Sequence, residues 1–192
     1  MLKKINFCLV LVLFCIFAQA QTETLTKYPI LDPSPLDVLY YPINAVKVKK
    51  GESPPAPAIK VLYSRPQRKG RIIFGVLEQF DKVWRLGANE NTEIYFRKGV
   101  TIGNKKIKAG TYSLFAIPKK DTWIVIVNKQ TDRWGAFSYD ETKDVVRVSV
   151  PVKTLAKTIE SFSMTFVDTA IGVNLMMAWD NTEVALPIEF KK

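Results

Sequence analysis

Ala109-Gly110-Thr111-Tyr112-Ser113-Leu114-Phe115-Ala116-Ile117-Pro118 and, a few residues on, Trp123-Ile124-Val125-Ile126-Val127 decide the fold class. In the first stretch Tyr112, Leu114 and Ala116 alternate against Ser113, Phe115 and Ile117, the period of two that belongs to a β-strand. Ala109-Gly110 turns the chain into it, and Pro118 ends it because proline has no N–H to give to a ladder. The second stretch is apolar on both faces, as a central strand covered on both sides must be.

The same period recurs on either side. Ile59 to Tyr63 is a short apolar run, and Thr92 to Arg97 sets Ile94 and Phe96 on one face. Val100 to Ile102 leads through Gly103-Asn104, a pair suited to a hairpin turn with positive φ, into Lys105 to Lys108. Val146, Val148 and Val150 alternate with Arg147 and Ser149, and Phe162, Met164 and Phe166 alternate with Ser161, Ser163 and Thr165. Leu175, Met177 and Trp179 repeat the pattern, as do Val184, Leu186, Ile188 and Phe190. Helical signal is thin: Leu77 to Leu86 has the spacing for about two turns and Val152 to Lys157 for about one. The chain is therefore expected to be all-β, an antiparallel β-sandwich or partly open barrel with one or two short helical turns.

Residues 1–20 read as a signal peptide: Lys3 and Lys4, the apolar run Phe7 to Phe17, then Ala18-Gln19-Ala20 before a cleavage point after Ala20. The run is too short to span a bilayer, and Phe14 before Cys15 does not suit a lipoprotein peptidase. The expected localisation is exported, periplasmic or secreted, with no transmembrane span after cleavage. Residues 21–58 hold seven of the eleven prolines and read as an arm along the domain, with Leu36, Val38, Leu39, Tyr40 and Tyr41 docked on it and a loop from Gly51 to Pro57. Residues 59–192 form the β domain.

Residue types absent from the chain narrow the chemistry. Cys8 and Cys15, the only cysteines, leave with the signal peptide, so no disulfide is expected. There is no histidine, which removes the usual neutral-pH base, the Ser-His and Cys-His nucleophile systems and the usual zinc ligand sets. No Walker loop, G-x-G-x-x-G, EF-hand loop, G-x-S-x-G elbow or S-x-x-K motif occurs, so neither cofactor nor metal is expected. The net charge is +10, and +8 once Lys3 and Lys4 are removed. For an exported chain this suits anionic lipid headgroups or acidic polysaccharide rather than nucleic acid, or simply a solvated basic surface.

Tyr63-Ser64-Arg65-Pro66, Lys69-Gly70-Arg71, Ile73-Phe74-Gly75, Lys82-Val83-Trp84-Arg85, Gly87-Ala88-Asn89-Glu90 and Ala109-Gly110-Thr111-Tyr112-Ser113-Leu114-Phe115 stand in an order that resembles the exported bacterial family named Domain of Unknown Function 2911. Trp123, Asn128, Trp134-Gly135, Tyr139, Asp144, Arg147-Val148, Trp179, Thr182 and Pro187 continue it. Gln79-Phe80 and Asp180 depart from the family's usual Pro-Tyr and Glu. The resemblance implies export and a compact domain, and supplies no activity.

Trp84 to Thr92 is the densest polar cluster, with a guanidinium, two amides, a carboxylate and a hydroxyl beside an indole. A guanidinium suits carboxylate, sulfate or phosphate, while Asn and Glu beside an aromatic face suit sugar hydroxyls. Arg65, Arg85, Asn89 and Glu90 are therefore candidate ligand-binding residues, with Trp134, the tryptophan expected to be exposed, as a stacking surface. The opposite reading is a satisfied loop network, with Arg85 paired to Glu90 and Gly87 as a cap. Acid–base chemistry is left only to carboxylate pairs, Glu90 with Glu93 or Asp140 with Asp144, and Glu93 is expected to face solvent. The leading functional expectation is a non-catalytic envelope or secreted module for a small anionic or glycan ligand. A structural or protein-interaction domain using the arm, with envelope proteins as partners, and a carboxylate-based glycan hydrolase are the alternatives.

Overall fold

The structure, a computed structural model, describes residues 28–190; the segment expected to be a signal peptide, its expected cleavage point and both cysteines lie outside them. The chain divides into two units, Met1–Leu31 and Asp32–Lys192. Of the first, only residues 28–31 are described, without regular secondary structure.

The second unit is two antiparallel sheets face to face. Its strands are β1 (Leu36–Tyr41), β2 (Ile59–Ser64), β3 (Thr92–Phe96), β4 (Val100–Ile102), β5 (Lys105–Ile107), β6 (Gly110–Pro118), β7 (Thr122–Asn128), β8 (Asp144–Pro151), β9 (Lys153–Asp168) and β10 (Gly172–Phe190). Six strands pair in the order β1-β2-β3-β6-β7-β8 and four in the order β5-β4-β10-β9, and neither sheet closes into a barrel. One core lies between them. Ile59, Val61, Ile94, Phe96, Leu114, Trp123, Val125 and Val127 meet Phe162, Leu175, Met177, Trp179, Val184, Leu186 and Ile188. Trp84 and Trp179 stack at its centre, ring centroids 6.0 Å apart.

The double-sided character of Trp123 to Val127 has a direct cause. Trp123, Val125 and Val127 face the core, while Ile126 pairs with Phe115 on the outer face. Phe115 and Ile126 are buried because the segment after β7 folds back, placing Tyr139 edge-on to Phe115 at 5.1 Å.

Neither expected helical turn forms where the spacing placed it. Residues 77–86 run as turns and isolated bridges, since Asp81 and Leu86 adopt φ of 60° and 58°, outside the helical region. Residues 153–157 open β9, where Lys153 and Thr154 pair with Glu183 and Thr182. The only helical turn among the described residues is a 3-10 turn, Glu141–Lys143, capped by Asp140, whose carboxylate accepts from Thr142 N.

The arm supplies a full strand. β1 pairs along its whole length with β2, and Leu39 and Tyr41 pack on the core, whereas Leu36 and Val38 remain 58% and 40% exposed. At the start of β10 Gly172 has no room for a side chain: a Cβ there would lie 2.1 Å from the Ile188 carbonyl oxygen.

Candidate functional site

The polar residues singled out in the sequence separate into three places. Arg65, directly after β2, is a clamp. Its guanidinium donates to the Phe162 carbonyl (3.1 Å), to Ser163 Oγ (2.8 Å) and to Asp37 Oδ2 (3.0 Å), tying β1, β2 and β9 together. Those bonds occupy all three nitrogens of the fork, leaving little of it for a ligand.

The second place is a polar lattice that holds residues 128–144 over the outer face of the large sheet. Buried Asn91 donates to Ser113 Oγ (2.6 Å), whose hydroxyl donates to the Gln130 carbonyl. Asn91 also exchanges bonds with Arg133, donating its N–H to that carbonyl (3.0 Å) and accepting the Arg133 N–H at Oδ1 (2.9 Å). Asn128 donates to Asp144 Oδ1 (2.7 Å) and to the Asp140 carbonyl (3.0 Å). Asp144 accepts from Tyr139 (2.7 Å) and from Arg147 Nε (2.6 Å). Burial, then the hydrogen bond to Asp144, holds the Tyr139 hydroxyl well above the usual phenol range. Asp140 and Asp144 are thus engaged in capping and bonding. Glu90 and Glu93 share a shallow crevice of about 170 Å³ with Asp132 and Arg133, and Glu93 is only half-exposed because it accepts the Asp132 N–H (2.7 Å).

The third place is an open cleft of about 220 Å³ lined by Glu78, Trp84, Arg85, Ala136 and Phe137. Its walls are set by the backbone. Trp84 exchanges two backbone bonds with Ala116 of β6 (2.7 and 2.9 Å), and the Arg85 carbonyl accepts the Thr92 N–H (3.1 Å), so the intervening side chain is presented at a fixed point. On the facing wall Ile73 and Phe74 anchor residues 71–80 in the core, and the Glu78 N–H donates to the Ile73 carbonyl (2.9 Å). Arg85 donates to the Asn89 carbonyl (3.1 Å), and its Cζ lies 6.0 Å from the Phe137 ring centroid. Asn89, in the left-handed region at φ 59°, contributes that carbonyl and positions Arg85.

Glu78 was not singled out by any sequence pattern. Its carboxyl is half-buried, and burial pushes its pKa up to about 7, with Arg85 and then Arg71 holding it from rising further. No hydrogen bond contributes to that shift. A carboxyl that is close to half-protonated near neutral pH both donates and accepts, and Arg85 beside it only donates. Phe137 is 85% exposed and Trp134 60% exposed, both on the same loop, whereas Trp84, Trp123 and Trp179 are core residues at 3%, 0% and 0%. Trp134 also bridges Glu90 through the backbone. The structure therefore brings Arg85 together with Glu78 and Phe137, leaves Trp134 on the Phe137 loop but outside the cleft lining, and sets Arg65 elsewhere.

No group of three or more acidic residues among the described residues is placed to hold a metal ion. No described helix is long and apolar enough to cross a membrane.

Fold and cleft together define an all-β sandwich with a small polar-aromatic cleft on its loops. The chain belongs to the family described as Protein of unknown function (DUF2911), whose model matches residues 46–188. No curated protein and no solved structure matches it.

Proposed function

We propose that the chain is an exported, non-catalytic binding module of the bacterial envelope that takes a small anionic group or a single sugar ring into the Glu78–Arg85 cleft. The observation that carries this reading is the pairing of an unbonded, half-buried carboxyl with a guanidinium beneath an exposed aromatic ring. Carboxyl and guanidinium supply the donors and acceptors that sugar hydroxyls or a ligand carboxylate need, and Phe137 and Trp134 offer apolar faces. At about 220 Å³ the cleft is smaller than the ~300–1,000 Å³ of drug-sized sites, which favours one ring or one acidic group. Glycosidase chemistry needs two carboxyls facing one bond, and the cleft presents only Glu78.

A thermal-shift screen of neutral and acidic sugars tests this. A ligand at 100 times its dissociation constant adds about 2.7 kcal/mol to the folded state. The midpoint should rise in the wild type and not in Arg85→Ala; an equal rise in both proteins would remove the cleft from the account.

A second reading, a protein-interaction domain, is favoured by β1, an edge strand that leaves Leu36 and Val38 uncovered. It predicts that Val38→Lys abolishes co-purification with envelope proteins, and unchanged co-purification would count against it.

A further inference from the structure

We propose that the β4–β5 hairpin and the groove beside it form a second binding site, specific for an acidic polysaccharide. Between Ile94 and Lys120 the chain contains no Asp or Glu. Within that span Arg97, Lys98, Lys105, Lys106 and Lys108 are all exposed, and none joins an ion pair with another described residue. The hairpin register, Val100 with Ile107, Thr101 with Lys106 and Ile102 with Lys105, sets Lys105 and Lys106 on one short ribbon, with Arg97 and Lys98 leading into it and Lys108 leaving it. At ~3.3 Å per residue each three-residue strand of the ribbon is about 10 Å long, so neighbouring charges sit within roughly one Debye length and repel one another. A polyanion relieves that repulsion, releasing counterions as it binds.

The ribbon borders a groove of about 570 Å³ whose lining includes Arg97, Lys98, the backbone at Gly99, and Phe190. Phe190 is held by the Tyr41 ring stacked on it, centroids 5.4 Å apart at 28°. The groove thus sets an aromatic ring beside two unpaired cations, the combination that accepts a sugar face and its carboxylate or sulfate together. Glu189, paired with Thr101 on the neighbouring strand, is an acid on this flank and leaves the cations in the majority. A bilayer fits less well. The hairpin tip is Gly103-Asn104-Lys105, and no large apolar residue from 97 to 110 is exposed for insertion.

The site shares no residue with the Glu78–Arg85 cleft, so either can fail alone. The test measures polygalacturonate affinity at two salt concentrations for three proteins. These are the wild type, the variant Lys98→Gln, Lys105→Gln, Lys106→Gln, Lys108→Gln, and a control of equal net charge, Lys50→Gln, Lys129→Gln, Lys143→Gln, Lys157→Gln. Binding should weaken at least tenfold in the hairpin variant and stay within about twofold in the control, with neutral dextran unbound throughout. Arg97→Gln alone should weaken it severalfold, which keeps the test valid if the quadruple variant folds poorly. Equal losses in hairpin variant and control would reduce the site to diffuse charge. Binding to phosphatidylglycerol vesicles but not to polygalacturonate, or to neither, would overturn the proposal.

Discussion

Glu78→Gln should make the protein more stable above neutral pH and leave it nearly unchanged in acid. The Glu78 carboxyl titrates near pH 7 in the folded chain, against 4.5 for the unhindered group, because burial disfavours its ionised form. Between those values the folded state holds a proton that the unfolded state has lost, so the stability contributed by this group falls as pH rises through the window. At about 1.4 kcal/mol per pH unit the difference amounts to about 3 kcal/mol at most at pH 8, an upper limit because water still reaches the side chain. Glutamine keeps the size and hydrogen-bonding character of the neutral acid and cannot ionise. Urea unfolding of both proteins from pH 4 to pH 8.5 isolates the effect, since every other titrating group cancels in the difference. The curves should coincide near pH 4 and separate from about pH 5 upward, with the variant the more stable. Parallel curves would refute the reasoning, because they would mean that Glu78 titrates alike in both states.

Other substitutions probe the remaining assignments. Arg65→Met removes the clamp on Phe162, Ser163 and Asp37 and should lower unfolding stability by about 1–3 kcal/mol without altering sugar binding in the cleft. Gly172→Ala forces a Cβ to 2.1 Å from the Ile188 carbonyl oxygen; a loss of about 3 kcal/mol or more, or no soluble folded protein, is expected in the same assay. Asn91→Ala removes the donor to buried Ser113 Oγ and the acceptor for the Arg133 N–H, and should cost about 1–3 kcal/mol while speeding amide exchange through residues 130–134. Trp134→Ala, at a site 60% exposed, should leave stability within about 0.5 kcal/mol and weaken ligand binding.

The strands were legible because their alternation answers directly to burial. Thr111 to Ile117 and Trp123 to Val127 lie within β6 and β7, and Gly103-Asn104 makes its turn with φ of 53° and 65°. One feature of β10 was also written in the sequence. Its buried positions are odd at Leu175, Met177 and Trp179 and even at Val184, Leu186 and Ile188, and the change of phase falls where Asp180, at φ 55°, breaks the register with β9. The two runs are therefore one strand with an irregularity.

The helical spacing of Leu77, Phe80 and Trp84 misled because it is carried by three residues with separate jobs. Trp84 enters the core through a bridge to Ala116, while Leu77 and Phe80 stay 41% and 39% exposed on a loop. Of the cleft, Arg85 and the exposure of Trp134 were readable from residue type and neighbouring glycine. Glu78 was not: its character comes from two loops that meet only in the fold, and a lone acid in an apolar stretch carries no local mark of burial. The role of Arg65 was hidden for the same reason, since its partners Phe162 and Ser163 are about a hundred positions away in the chain.

The most direct test of the cleft is an NMR titration of the full chain with the best sugar or sugar acid from the screen, following the side-chain signals of Glu78, Arg85, Phe137 and Arg65. Saturable shifts at Glu78, Arg85 and Phe137, with Arg65 unmoved, are predicted. Saturable shifts centred on Arg65 and Asp37, or ligand binding that leaves the Glu78 and Arg85 signals in place, would contradict the account.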